Sequence, residues 1–246
     1  LYLANHQTGV ESLVFSIVAS GLTGVPTVTL AKAEHRHTWL GRLIAHCFSY
    51  PGVRDPKIIS FFDREDKKSL PRIIGELHKE MIGPGRSVMV HIEGTRSFSC
   101  RTPVKKMSSA FIDMALAANV PIVPVRFVGG LPVEPLKVRT EFPVGMGTQD
   151  IWFGKPILPA QLQALPLKAR KDMVIAGINR LGPSADDEQP NPGDPVLDDA
   201  VRAWSKTTGV DDPHATLMCT LQRLGTPATD PIRKLLDAGT VANLKV

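Results

Sequence analysis

Leu1-Tyr2-Leu3-Ala4-Asn5-His6-Gln7-Thr8-Gly9-Val10-Glu11 begins the chain, and a change of periodicity inside it sets the architecture of the whole fold. Leu1 to Ala4 reads as the end of a buried strand, and Glu11 to Ala19 as the start of an amphipathic or buried helix. On a continuous helix, residues five apart lie about 140° round the axis and do not meet. With Gly9 permitting a turn and His6 standing before the helix, the imidazole and the Glu11 carboxylate can face each other. A carboxylate on one imidazole nitrogen fixes the tautomer and leaves the other free to accept a proton. The pair then has the equipment of a general base with its orienting acid. The same residues also suit a helix-capping cluster in which Glu11 only complements the helix dipole. This stretch alone leaves both readings open.

Outward from this unit the pattern repeats. Strands are expected at Leu1 to Ala4, Pro26 to Ala31, Lys57 to Phe62, Arg86 to Ile92 and Ile122 to Val128, with two more at Lys137 to Val144 and Gln149 to Phe153. Helices are expected at Glu11 to Ser20, Thr38 to Phe48, Lys68 to Met81, Val104 to Ala118 and Ala160 to Leu181. Such alternation implies crossover connections, hence an α/β fold with a largely parallel sheet flanked by helices on both faces. Residues 183–195 are rich in Pro, Gly and acid and read as a linker or mobile loop. Beyond it, Val196 to Ser205, Pro213 to Leu224 and Asp230 to Ala238 read as three short helices, a helical C-terminal appendage. The expected organisation is one domain over 1–182, the linker over 183–195 and a small helical tail over 196–246. The chain begins almost on its first motif and without Met, so its N-terminal portion is expected to be truncated.

Three further blocks accompany the first. Ile59-Ser60-Phe61-Phe62-Asp63-Arg64 ends in an arginine, Glu93-Gly94-Thr95-Arg96-Ser97 follows the strand Ser87 to Ile92, and Val120-Pro121-Ile122-Val123-Pro124-Val125 comes last. In this order they resemble the glycerophospholipid acyltransferase family, whose type members are the lysophosphatidic acid acyltransferases. The resemblance covers roughly the first two-thirds of the chain. Two departures stand out: Glu11 where the family has Asp, and Ile92 where it has Pro. Glutamate keeps the charge and adds one methylene. Ile92 changes backbone stiffness and removes no chemical group.

The resemblance implies transfer of a fatty acyl group from acyl-CoA or acyl carrier protein to the hydroxyl of lysophosphatidic acid or a related lysophospholipid, forming phosphatidic acid. His6, oriented by Glu11, would act as the base, with no covalent enzyme intermediate, no metal and no bound cofactor. Arg64, Arg96 and Lys105 would hold the acceptor phosphate, since guanidinium grips phosphate bidentately and stays charged. Glu93, Gly94 and Thr95 would position substrate, and Pro121 and Pro124 would shape the wall of the acyl groove. Backbone N–H groups after His6, or around Glu93-Gly94-Thr95, are the natural oxyanion donors. Blander readings stand beside these. Arg64 lies in an ion-pair-rich Asp63-Arg64-Glu65-Asp66, Lys105 and Lys106 suit a solvated helix start, and strand-edge prolines need no functional role.

Composition narrows the alternatives. The 246 residues suit one good-sized core, and 43% hydrophobic with 22% charged residues is ordinary for a folded domain. A formal charge of +5 fits an anionic ligand or membrane surface. No basic run, zinc finger or aromatic RNA motif points to nucleic acid, and aromatics are only 6%. Cys47, Cys100 and Cys219 fit neither a disulfide framework nor a zinc spacing. His35 and His37 flank Arg36 without an apparent third metal ligand, and His91 is expected to pack or hydrogen-bond within its strand. Peripheral membrane contact, through Trp39-Leu40 and Phe48, and a location in the cytoplasm or on the cytoplasmic face of a membrane follow from the implied substrate. Rival readings are an acyl-thioester hydrolase or chain-offloading domain of a larger lipid synthase, and a catalytically weak lipid-binding or docking domain. No Gly-x-Ser-x-Gly elbow supports a serine hydrolase.

Overall fold

The computed structural model describes residues 1–33, 49–50, 53–54, 59–63, 66, 68–210, 212–227, 229–230 and 234. Strand β1 (Tyr2–Ala4) turns into helix α1 (Glu11–Thr23), which leads to β2 (Thr27–Lys32). An antiparallel ribbon, β3 (Ser49–Tyr50) and β4 (Val53–Arg54), precedes β5 (Ile59–Phe62), α2 (Ser69–Ile82), β6 (Ser87–His91), α3 (Ala110–Ala118), β7 (Val123–Val128) and β8 (Asp150–Phe153). Helices α4 (Pro159–Gln163), α5 (Leu167–Asn179), α6 (Pro195–Thr208) and α7 (Asp212–Arg223) complete the described elements. The main sheet has six strands in the order β5-β2-β6-β1-β7-β8, parallel except for the antiparallel edge strand β8. The fold is α/β, as the strand–helix alternation predicts. Among the described residues no helix is long and apolar enough to cross a membrane.

The two-residue period of the strands sorts the core into two layers. Leu3, Val28, Val88 and Val90 face one side, where they pack with Ile73 and Leu77 of α2, Ile112 of α3 and Val174 of α5. Ala4, Met89, Val125 and Phe127 face the other, where Phe15 and Ala19 of α1 cover them. In α1 the buried positions Glu11, Phe15 and Ala19 recur every four residues, so Glu11 lies on the stripe that faces the sheet. That placement brings a carboxylate down beside the end of β1.

Several boundaries differ from the sequence expectation. Lys137 to Val144 is not a strand: Gly9 and Val10 N–H groups donate to Thr140 and Glu141 carbonyls, so this segment caps the turn before α1 and ends in a 3-10 turn, Val144–Met146. The helix expected from Val104 starts only at Ala110, and the Asn179 side chain takes both backbone groups of Val104, which are then not available to a helix. The helix expected over Ala160 to Leu181 breaks into α4 and α5, since Pro166 has no N–H to continue α4 and instead caps α5. The expected helix Thr38 to Phe48 lies outside the described residues, and so does most of Asp230 to Ala238.

The segment 183–195 is tied to the sheet through Glu188. This side chain is 1% exposed, pairs with Arg126 at 2.6 Å and accepts from the Gln7 amide at 2.7 Å. Arg126 also donates to the carbonyls of Asn179, Leu181 and Pro183. Helices α6 and α7 join through Val201, Ala215 and Cys219, and Met146 of the 3-10 turn packs against them.

Candidate active site

Parallel register places the first and third motifs side by side. Ala4 pairs with His91, so the residues two further along, His6 and Glu93, leave neighbouring strands together. The His6 backbone N–H donates to Glu93 Oε2 at 2.9 Å, and Ser97 N–H donates back to the His6 carbonyl at 2.8 Å. Asn5 fixes the other side of the turn: its side chain donates to the Phe127 carbonyl and accepts from the Phe127 N–H. This lies at the carboxyl ends of parallel strands, where open α/β sheets present their ligand sites.

His6 Nδ1 and Glu11 Oε2 are 2.9 Å apart, with side-chain exposures of 18% and 0%. The carboxylate also accepts from Gln7 N–H (3.0 Å), Thr8 N–H (2.8 Å) and Gln149 Nε2 (2.8 Å). Glu11 thus pairs with His6 and also gathers the amides of the turn before α1, while the N-cap position itself, Val10, has no side-chain cap bond. The extra methylene of Glu11 over Asp lets one oxygen stay on the amides while the other reaches the imidazole. Burial pushes Glu11 above the ordinary carboxylate range, with His91 and the hydrogen bonds from Gln149, Thr8 and Gln7 acting against it. The Gln7 and Thr8 N–H groups and Gln149 Nε2 can only donate, so three fixed donors converge on the carboxyl. The shell fits the ionised form.

His91 lies flat against His6, ring centroids 3.7 Å apart and planes inclined by 12°. Burial first, and then the adjacent His6, lower it to about 3, so it is neutral. Its Nδ1 bonds the Asn5 carbonyl and its Nε2 meets Ser12 Oγ at 3.1 Å. His6, Glu11 and His91 bring ligand atoms within 4.8 Å of one another, yet they do not fit a metal ion. The lone pairs of stacked imidazoles lie in nearly parallel planes and cannot converge on one cation, and the His6 and His91 nitrogens nearest the group already have partners.

Glu93-Gly94-Thr95-Arg96 turns sharply away from β6. Gly94 sits at φ +68°, where a side chain would be strained, and its N–H donates to the His91 carbonyl. Burial pushes Glu93 up to about 7; the His6 N–H pulls it down, Glu11 pushes it up, and Ser97 pulls it down again. Arg96 Nη1 donates to the Thr140 carbonyl and to Glu141 Oε1, both at 2.7 Å.

A cavity of about 860 Å³ joins these groups. His6, Glu93, Gly94, Thr95 and Arg96 form its polar side, and Leu30, Phe62, Leu70, Val90, Met107 and Phe111 supply apolar surface. Of the other expected site residues, Arg64 lies outside the described residues. Lys105 is exposed and is not in the lining, whereas Lys106 is. Pro121 and Pro124 do not wall the cavity: Pro124 packs against Gly154 and Gly177 on the α5 side of β7, and the Pro121 carbonyl accepts from the Leu1 amino group. Cys100 is buried away from the cavity, and burial pushes its thiol up. Sequence reading missed Ser12, Arg139, Glu141 and Gln149. The last three belong to the segment after β7, whose place over the turn carries no local motif.

Among solved structures, the chain is similar to the crystal structure of the 1-acyl-sn-glycerophosphate (LPA) acyltransferase PlsC from Thermotoga maritima, at 20% identity and a TM-score of 0.44. The similarity covers 72% of this chain and spans 64% of that one. No curated protein matches the sequence. A family model described as Acyltransferase matches residues 1–128 of the 246, and on that match the chain belongs to the acyltransferase family.

Proposed function

We propose that this chain transfers a fatty acyl group from a thioester donor, acyl-CoA or acyl carrier protein, to the free hydroxyl of lysophosphatidic acid or a related lysophospholipid. The observation that carries this reading is the His6–Glu11 contact at 2.9 Å on a cavity with a cationic side and an apolar side. With Nδ1–H directed at Glu11, His6 Nε2 takes the proton from the acceptor hydroxyl as its oxygen attacks the thioester carbonyl. The tetrahedral intermediate expels the thiolate, which recovers the proton from the imidazolium. Atoms balance without an acyl-enzyme or a metal.

The oxyanion needs donors that are not already committed. Gln7 and Thr8 N–H groups bond Glu11, and those of Gly9 and Val10 bond Thr140 and Glu141 carbonyls. The Gly94 N–H goes to the His91 carbonyl, so within the Glu93-Gly94-Thr95 turn it is the Glu93 and Thr95 N–H groups that we favour over the turn after His6 as oxyanion donors. Arg96 is the natural phosphate ligand, and the apolar wall suits the acyl chain.

The test is acyl transfer from labelled acyl-CoA, and separately from acyl carrier protein, to lysophosphatidic acid, with His6→Ala alongside. Phosphatidic acid made by the parent and lost in the variant is the expected result. Free fatty acid alone, still dependent on His6, would mean thioester hydrolysis instead.

A further inference from the structure

Arg96 does not face the cavity as a bare cation. Its Nη1 carries the Glu141 carboxylate at 2.7 Å, and the two side chains are 17% and 23% exposed. The carboxylate rests on Gly9: a Cβ there would lie 1.8 Å from Glu141 Oε2 and 2.8 Å from Arg96 Nη1. Gly9 therefore leaves room for an anion on the guanidinium, a few residues from the base. Arg139 lines the same part of the cavity and donates through Nε to the Arg96 carbonyl at 2.9 Å. Two guanidinium charges set against one carboxylate leave a net single positive charge. A phosphate monoester near neutral pH carries between one and two negative charges, and it would meet Glu141 at close range.

We infer that Glu141 holds the place on Arg96 that the acceptor's phosphate takes, so that acceptor binding exchanges one anion for another and Glu141 sets acceptor affinity. This rests on the proposed phosphate-bearing acceptor. The exchange is structurally simple. The Thr140 carbonyl keeps its own bond to Arg96 Nη1 at 2.7 Å, which fixes the guanidinium while the Glu141 side chain leaves. The backbone of 140–141 need not move, since it is bonded to Gly9 and Val10. Once Glu141 has left, Arg96 and Arg139 together match a dianion.

The experiment compares parent, Glu141→Gln and Glu141→Ala. Glutamine keeps the size and an acceptor oxygen and guards against a variant that misfolds. KM for lysophosphatidic acid is expected to fall roughly tenfold, the factor equivalent to about 1.4 kcal/mol. Calorimetric titration with inorganic phosphate alone, without acyl donor, is expected to tighten by a similar factor. If KM rises and phosphate binding weakens, Glu141 is a brace for Arg96 and the inference is overturned; unchanged values overturn it as well. Tighter phosphate binding in a protein that does not acylate lysophosphatidic acid would uphold the anion exchange while removing the proposed acceptor.

Discussion

Shortening Glu11 to Asp is a sharp test of how this site is held. Asp is the residue that the resembling family carries here, so a motif-based argument predicts no loss, or even a gain. The geometry predicts the opposite. One oxygen of Glu11 takes Thr8 N–H and Gln149 Nε2 at 2.8 Å, while the other takes His6 Nδ1 at 2.9 Å and Gln7 N–H at 3.0 Å. Removing a methylene withdraws the carboxylate by about 1.5 Å and stretches such contacts to roughly 4 Å, past hydrogen-bond reach. The amides of Gln7 and Thr8 belong to the same turn and can follow it. His6 and Gln149, anchored on β1 and before β8, cannot. Two lost bonds to a charged group, one of them partly rescued by solvent, come to about 2 kcal/mol of stability. On the proposed mechanism, the imidazole without its orienting partner keeps only part of a general-base contribution of about 10²–10⁴, so kcat is expected to fall about 10- to 100-fold. Urea unfolding and steady-state kinetics of parent, Glu11→Asp, His6→Ala and the double variant measure both effects. The double variant should be little slower than His6→Ala alone, because the carboxylate acts through the imidazole. A Glu11→Asp enzyme as stable and as fast as the parent would refute the argument from side-chain length.

Two further outcomes rest on buried charge. Glu188→Ala strands Arg126, whose side chain is 6% exposed, and is expected to cost about 3–5 kcal/mol in urea unfolding; Arg126→Met combined with Glu188→Leu should recover much of it, and a double variant no better than the single would contradict the pairing. Glu93 is pushed from 4.5 up to about 7, so between those values the folded chain holds a proton that the unfolded chain has released. Its contribution to stability is complete below about pH 4.5 and is lost as pH rises through about 7. Unfolding curves across this window should show a decline in the parent that Glu93→Gln lacks; identical slopes would remove Glu93 from the account.

The contacts held within one turn are legible in the sequence. His6 and Glu11 are five residues apart, and Glu93 to Arg96 are contiguous, so residue type and a permissive glycine expose them. Strand–helix alternation likewise points to the sheet and both its faces. The rest of the site comes from residues 139–149, which have no motif and mislead by pattern. Val138, Thr140, Phe142 and Val144 alternate like a strand, yet Val138 is 75% exposed and the backbone bonds the turn before α1. Pro121 and Pro124 mislead for another reason. Motif order tells that they lie at β7, but not that β7 turns Pro124 toward α5 and away from the cavity. Glu188 is hidden by composition: a stretch rich in Pro, Gly and acid reads as solvated, and only the fold shows Arg126 waiting beneath it.

The central position of β1 has a kinetic consequence. It is synthesised before every strand it touches, and its partners come late: Glu93 lies 87 residues from His6, Phe127 lies 122 from Asn5, and Glu188 lies 181 from Gln7. Local helices can form early, and Glu11 can gather the Gln7 and Thr8 amides, but the long-range bonds of the His6 turn wait for Glu93 and Phe127. Loop closure over such separations is slow, and the apolar edges of β1 stay open meanwhile. Nascent chains of this protein should therefore depend on chaperones until β6 and β7 arrive, and complete the His6 turn only after that.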